Sequence, residues 1–193
     1  MALKAVIFDV GETLIDETGM WERAADAAGV PRFTLMGILG GLAARGEHHR
    51  RVWELLGVEP AASSWERDDL YPDALPAIDA LRSLGVRVAA VGNTPSATED
   101  LLQAELEVLG SMESWGVAKP EAAFFDRIVS VLELASHEIA YVGDRVDNDV
   151  QPAIAAGMVA VHVRRGPWGI LHEPPPEAIR VGSLEELPGA LGV

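Results

Sequence analysis

Four short apolar runs, separated by segments with a helical pattern, constrain the fold of this chain more than any other feature of its sequence. They are rich in β-branched and aromatic residues and are bounded by glycine or polar residues, which is typical of strands buried on both faces. The runs occupy residues 5–10, 86–91, 139–142 and 159–163. Alternation of strands and helices implies right-handed crossovers, so we predict an α/β fold with an open, doubly wound parallel sheet.

The spacing of apolar residues predicts helices between these strands. One covers residues 74–85, and another begins at Pro120 and continues to about Ala135. The spacing of Leu102, Leu106 and Leu109 predicts a further helix. After the last strand, we predict a loop over residues 164–176, rich in glycine and proline, and then an edge strand over residues 179–181.

Residues 16–70 interrupt the alternation, because they contain helical patterns and no convincing strand. The helical segments cover residues 20–28, 33–44 and 48–56. Turn residues at Tyr71-Pro72-Asp73 then end the interruption. We therefore predict an α/β core domain formed by residues 1–15 and 71–193, with a small helical cap inserted over residues 16–70.

The composition excludes several classes of function. The chain has no cysteine among its 193 residues, which excludes disulfides, thiolate metal sites and a cysteine nucleophile. Its formal net charge of -15 opposes binding to nucleic acid, whose phosphate backbone attracts basic surfaces. The N-terminal segment lacks a small-residue cleavage site and no apolar run is long enough to span a bilayer, so we expect a cytoplasmic protein without a membrane partner.

Four stretches of sequence place polar residues where the sheet should end. Ligands of open α/β sheets bind beyond the carboxyl ends of the strands. The stretches are Phe8-Asp9-Val10-Gly11-Glu12-Thr13-Leu14, Val91-Gly92-Asn93-Thr94, Lys119-Pro120 and Gly143-Asp144-Arg145-Val146-Asp147-Asn148-Asp149. In this order they resemble the haloacid dehalogenase-like (HAD) superfamily of hydrolases, and the resemblance extends from the first strand to about Met158.

The resemblance implies a role for each acidic residue of the set. Asp9 corresponds to the nucleophile that attacks phosphorus and becomes an acyl phosphate, which water then hydrolyses. Asp9, Asp144 and the backbone carbonyl of Gly11 correspond to ligands of Mg²⁺, a cation that prefers hard oxygen donors. Asp149 corresponds to the acid that orients metal-bound water, so we count it with the metal site. Lys119, one of two lysines in the chain, would offset the crowded negative charge.

The second stretch departs from the family pattern. A serine or threonine hydroxyl usually contacts the phosphoryl group there, but this chain has Gly92. Asn93, Thr94 and Lys119 remain as the residues expected to bind the substrate phosphate.

A second departure lies two residues after the nucleophile, where phosphatases of the family usually carry an aspartate that protonates the leaving group. This chain has Gly11 at that position. Because general acid catalysis contributes roughly 100- to 10,000-fold in rate, we expect weakened activity and a preference for activated aryl phosphates over alkyl phosphates. Glu12 is a candidate replacement acid, although a residue one position later normally points elsewhere.

The sequence also leaves open the role of several cap residues. His48, His49, Arg50 and Arg51 could contact an anionic leaving group or form a solvated helix face, and we prefer the second interpretation. Trp21, Trp53 and Trp65 could line a substrate pocket or form the core of the cap.

The predicted function is Mg²⁺-dependent hydrolysis of a small phosphorylated metabolite through an aspartyl phosphate. One alternative is metal-independent dehalogenation, which Gly11 permits, although that branch of the family generally lacks the complete acidic stretch seen here from Gly143 to Asp149. The other is a noncatalytic protein that retains the metal site and binds a partner.

Overall fold

The computed structural model describes residues 3–193, and its centre is a single parallel sheet. The strands are β1 Ala5–Phe8, β2 Arg87–Gly92, β3 Glu107–Ser111, β4 Ile139–Gly143, β5 Val159–Val163 and β6 Ile179–Val181. Their order in the sheet is β3-β2-β1-β4-β5-β6. The predicted α/β class is confirmed, and so is the predicted edge strand at the end of the chain.

The helices connect these strands and also make up most of the segment predicted to be a cap. They are α1 Thr18–Ala27, α2 Arg32–Ala44, α3 Arg51–Leu56, α4 Ala74–Ser83, α5 Ala97–Gln103, α6 Met112–Trp115, α7 Ala122–Leu132, α8 Gln151–Ala155, α9 Gly166–Leu171 and α10 Leu187–Leu191. Short 3₁₀ turns and one π-helical turn over Val146–Val150 complete the described elements. Among residues 3–193, no helix is both long and apolar enough to cross a membrane.

Side chains of β1 alternate between the two faces of the sheet because successive residues of a strand point in opposite directions. Val6 and Phe8 pack into a cluster with α4 and α10, whereas Ala5 and Ile7 pack into a second cluster with α7 and α8. All four residues are fully buried. Both faces of the sheet are therefore covered, as the continuous apolar run predicts.

Two local predictions are wrong. Leu106 and Leu109 do not continue the helix of Leu102, because α5 ends at Gln103 and β3 begins at Glu107. The predicted loop over residues 164–176 contains α9, which begins at Gly166 with a proline in its first turn. The first case reflects an edge strand whose apolar spacing also fits a helix, and the second reflects a proline that starts a helix instead of breaking one.

Residues from α1, α2 and α3 form a separate hydrophobic cluster around Leu35, Leu39 and Leu42. The chain enters and leaves this region through paired segments, with an antiparallel bridge between Ile15 and Leu70. Backbone hydrogen bonds on either side of the bridge join Asp16 N to Asp69 O at 2.8 Å and Tyr71 N to Leu14 O at 2.9 Å. The division of the chain into core and cap stays a prediction, and these contacts support its boundaries.

Candidate active site

Three buried aspartates meet at the carboxyl ends of the two central strands. Asp9 follows β1, Asp144 follows β4, and Asp149 lies in the π-helical turn after it. Parallel pairing aligns Phe8 with Val142, and Asp9 N donates a hydrogen bond to Val142 O at 2.8 Å. One carboxylate oxygen from each of the three aspartates lies within 4.8 Å of the others. The topology therefore brings together acids that are 140 residues apart in sequence, counting from Asp9 to Asp149.

Lys119 is the cation of this cluster. Its Nζ lies 2.6 Å from Asp9 Oδ1 and 2.5 Å from Asp149 Oδ1, and its side chain is 2% exposed. Burial disfavours the charged amine, but the carboxylates of Asp149 and Asp9 outweigh that effect and raise the pKa of Lys119 well above its ordinary value. Lys119 is therefore a fixed positive charge beside the proposed nucleophile.

Asn93 holds the backbone of Lys119 through both ends of its amide. Asn93 Nδ2 donates to Lys119 O at 2.9 Å, and Lys119 N donates to Asn93 Oδ1 at 2.8 Å. Asn93 thus positions the lysine, a role that the sequence did not indicate. Thr94 is buried directly after Asn93. Phosphate binding by Asn93 and Thr94 stays a prediction.

Asp149 uses both carboxylate oxygens within the protein. Oδ1 accepts from Lys119 Nζ, and Oδ2 accepts from Arg145 N at 2.9 Å. These bonds fix the loop that carries Asp144 and suit the role of orienting a metal-bound water. Asp147, in the same stretch, has a side chain that is 52% exposed and pairs with Arg145. Asp147 therefore lies at the surface and outside the cluster.

The donor set of the cluster fits a divalent cation. Three carboxylates and one ammonium leave an excess of two negative charges in a buried volume. Burial, together with the charges of Asp149 and Asp9, raises the pKa of Asp144 well above its ordinary value, so this carboxylate lacks sufficient positive charge nearby. Mg²⁺, a hard cation that binds carboxylate and carbonyl oxygens, matches this chemistry.

Glu17 fills the space beside Gly11 that a side chain would otherwise occupy. A Cβ added to Gly11 would overlap Glu17 Oε1 and would lie 3.5 Å from Trp65 Cζ2. Burial and the neighbouring carboxylates of Glu12 and Asp9 raise the pKa of Glu17 to about 8. Sequence reasoning missed this residue, and its position at the start of the cap, directly before α1, was the one available signal.

The Glu12 carboxylate contacts residues at the two ends of the segment predicted to be the cap. Oε2 accepts from the Tyr71 hydroxyl at 2.6 Å, and Oε1 accepts from Glu17 N at 3.1 Å. Burial raises the pKa of Glu12. With both oxygens engaged in these structural contacts, Glu12 is poorly placed to replace an acid at residue 11.

The cap presents an aromatic surface to α9 of the core. The His49 ring lies 5.7 Å from that of Trp21 and 6.3 Å from that of Trp168, measured between ring centroids. Burial lowers the pKa of His49 to about 3, so its ring is neutral at physiological pH. The prediction of solvent exposure is correct for His48, Arg50 and Arg51. It is wrong for His49, which is partly buried. Trp53 is buried in the cap, whereas Trp65 packs against the core.

Gly92 lies against the proposed nucleophile. A Cβ added there would be 2.7 Å from Asp9 Oδ1, an atom that Lys119 also holds. We therefore predict that Gly92→Ala displaces the Asp9 carboxylate and lowers kcat/KM for an aryl phosphate by about 100-fold, the scale of loss for a misplacement near 1 Å. Gly40→Ala is the matched control, because a Cβ at Gly40 meets no atom within 4 Å. Unchanged kcat/KM in Gly92→Ala would contradict this prediction.

Comparisons with known proteins show the family of this chain and proteins of similar fold. Residues 3–157 match the family model of haloacid dehalogenase-like hydrolases. The chain is 31% identical to glyceraldehyde 3-phosphate phosphatase from Methanopyrus kandleri, over an alignment that covers 86% of each protein. It is similar in fold to a HAD phosphatase from Thermococcus onnurineus, with a TM-score of 0.66, 21% identity and 98% of each chain covered. A dehalogenase with an intermediate complex gives a TM-score of 0.72 at 20% identity, with 97% of this chain and 96% of that chain covered.

Proposed function

Because the chain belongs to the haloacid dehalogenase-like hydrolase family and is therefore a hydrolase, we propose that it is a Mg²⁺-dependent phosphohydrolase of small phosphorylated metabolites. The observation that carries the proposal is the buried contact of Asp9 with Lys119, beside Asp144 and Asp149. The similarity to a glyceraldehyde 3-phosphate phosphatase over most of both chains supports phosphate esters as substrates.

The proposed reaction divides hydrolysis into two displacements at phosphorus. In the first, an oxygen of Asp9 forms a bond to phosphorus while the bond to the leaving-group oxygen breaks. In the second, water attacks the phosphorus of the acyl phosphate and Asp9 regains its carboxylate. Lys119 offsets negative charge beside Asp9 throughout, and Asn93 keeps the lysine in place.

In this scheme, Mg²⁺ would be held by Asp9, Asp144 and the Gly11 carbonyl. Asp149 would orient a water bound to the metal. When bound, the cation would neutralise part of the charge that the phosphate brings into a site already rich in carboxylates. Dehalogenation also uses an aspartate nucleophile, and the fold is similar to that of a dehalogenase, but a 2-haloacid carries its single negative charge on a carboxylate next to the reacting carbon, whereas a phosphate monoester carries its charge on the reacting phosphoryl group itself.

We predict that the protein hydrolyses members of a phosphometabolite panel with Mg²⁺ and that treatment with EDTA lowers turnover by at least roughly 100-fold, since a catalytic metal supplies several kcal/mol. Readdition of Mg²⁺ should restore activity. Asp144→Asn should raise the Mg²⁺ concentration required for half-maximal turnover. Asp147→Asn, the exposed acid of the same stretch, is the matched control and should leave that concentration unchanged.

Three outcomes would contradict the proposal in different ways. Metal-independent release of chloride from 2-chloropropionate, without phosphatase activity, would favour the dehalogenase. Full turnover of phosphates after EDTA treatment would refute the metal requirement. A folded protein that binds Mg²⁺ but hydrolyses no phosphate would favour the noncatalytic alternative.

A further inference from the structure

The carboxyl group of Glu17 lies where a side chain at residue 11 would lie. A Cβ built on Gly11 overlaps Glu17 Oε1. The same Cβ would lie 3.5 Å from Trp65 Cζ2. Gly11 is two residues after Asp9 and lies on the same turn. A glutamate directly before α1 therefore places an oxygen beside Gly11, two residues after the nucleophile, where residue 11 has no side chain.

The contacts of Glu17 fix this orientation and leave one oxygen available. Trp21 Nε1 donates to Oε2 at 3.1 Å, and Glu17 N is held by Glu12 at 3.1 Å. Oε1, the atom nearest the vacant position, makes no hydrogen bond to any residue from 3 to 193. The carboxyl is thus anchored at one end and free at the end that faces Gly11.

The other acids around Asp9 are already engaged or assigned. Asp149 is bonded to Lys119 and to the Arg145 backbone, and Glu12 is bonded to Tyr71 and to the Glu17 backbone. Asp144 belongs to the proposed metal site. Of the acids described around Asp9 that are not assigned to the proposed metal site, Glu17 alone combines contact with residue 11 and a carboxylate oxygen free of protein partners.

We propose that Glu17 is a catalytic residue that contacts and protonates the leaving-group oxygen, in place of the side chain that Gly11 lacks. The proposal rests on the phosphohydrolase function proposed above. As the Asp9–phosphorus bond forms, the bond from phosphorus to the leaving-group oxygen breaks, and that oxygen keeps the electron pair and takes the proton of the Glu17 carboxyl. In the second displacement, the attacking water returns a proton to Glu17. This assignment replaces the expectation that Gly11 alone weakens the enzyme toward alkyl phosphates.

The first test compares two substrates that differ in their need for a proton. Glu17→Gln keeps the shape of the side chain and an oxygen that can accept from Trp21, but it cannot transfer a proton. We expect kcat/KM for a sugar phosphate to fall by roughly 100- to 10,000-fold, and that for 4-nitrophenyl phosphate to fall far less, because a nitrophenolate leaves without protonation. Glu54→Gln, at a cap position where the side chain is 74% exposed, should leave both values unchanged.

The second test moves the carboxyl group from residue 17 to residue 11. Gly11→Asp should be unstable or inactive, because its new side chain meets Glu17. Glu17→Ala should lose alkyl phosphatase activity, and the double variant Gly11→Asp/Glu17→Ala should regain a substantial part of it, because one carboxyl again occupies the position. A folded double variant no more active than Glu17→Ala would overturn the proposal.

The activity of the parent protein distinguishes failure of the phosphohydrolase function from failure of the Glu17 assignment. If the parent hydrolyses neither substrate with Mg²⁺, the phosphohydrolase function is refuted. If the parent hydrolyses both and Glu17→Gln retains the parent ratio of kcat/KM values for the two substrates, Glu17 is refuted as the acid while the phosphohydrolase function stands.

Discussion

Replacing Asp9 by asparagine should reduce turnover of every phosphate substrate by roughly a million-fold, the scale of loss when a covalent nucleophile is removed. The amide is nearly isosteric with the carboxylate, but it cannot form the acyl phosphate. The substitution also removes one of three crowded negative charges and leaves Lys119 paired with Asp149 at 2.5 Å. The free energy of unfolding should therefore change little compared with the loss of activity.

Trapping the acyl phosphate on the protein is a second way to measure the role of Asp9. Rapid quenching of the parent with a substrate labelled at phosphorus should leave label on the protein that hydroxylamine removes, and Asp9→Asn should carry none. Asp126→Asn, at an exposed position on α7, is the matched control and should behave like the parent. Turnover retained by a folded Asp9→Asn protein, or labelling at the parent level, would contradict the assignment of the nucleophile.

The positions of the acidic residues were predictable because they depend on strand ends. A buried apolar run followed by aspartate defines the end of β1, and the same pattern with Gly143-Asp144 defines the end of β4. Once a parallel sheet is predicted, these ends must lie along one edge. That the acids lie at the same edge therefore follows from the predicted fold class, whereas the pairing of β1 with β4 that makes them neighbours comes from the structure.

The contacts made by Asn93 and Glu17 were not predictable in this way. Asn93 bonds to the backbone of Lys119, which is 26 residues away, and no local pattern reports such pairing. In the sequence, Glu17 precedes the first predicted helical segment of the cap, residues 20–28, and no motif includes it. It lies beside Gly11 because Glu12, at φ 53°, turns the intervening loop back and accepts a hydrogen bond from the Glu17 amide. A glycine at residue 11 marks a missing side chain in the sequence, whereas the structure reveals which residue fills the space.

The edge strand β3 was not predicted from the sequence, for a different reason. Leu106 lies between α5 and β3, and the steps of four and three residues that join Leu102, Leu106 and Leu109 fit the period of a helix but not the two-residue period of a strand. The strand is buried only toward its carboxyl end, so it lacks the continuous apolar run that identifies β1 and β4. Pairing with β2 stabilises it as a strand, and the partner of Glu107 in that pairing is Ala89, 18 positions earlier.

Replacing Lys119 by methionine should destabilise the metal-free protein by about 3–5 kcal/mol, because loss of one partner of a buried ion pair leaves uncompensated charge. Here Asp9 and Asp149 would both lose the ammonium that lies 2.6 Å and 2.5 Å from them. Urea unfolding in EDTA measures the change, and Mg²⁺ should recover part of the lost stability by binding the folded carboxylates. Lys4→Met is a matched control, because Lys4 is 55% exposed and its pair with Glu138 should contribute less than about 1 kcal/mol. Equal unfolding free energies for Lys119→Met and the parent would show that the carboxylates do not depend on this lysine, and the charge balance proposed for the site would then be wrong.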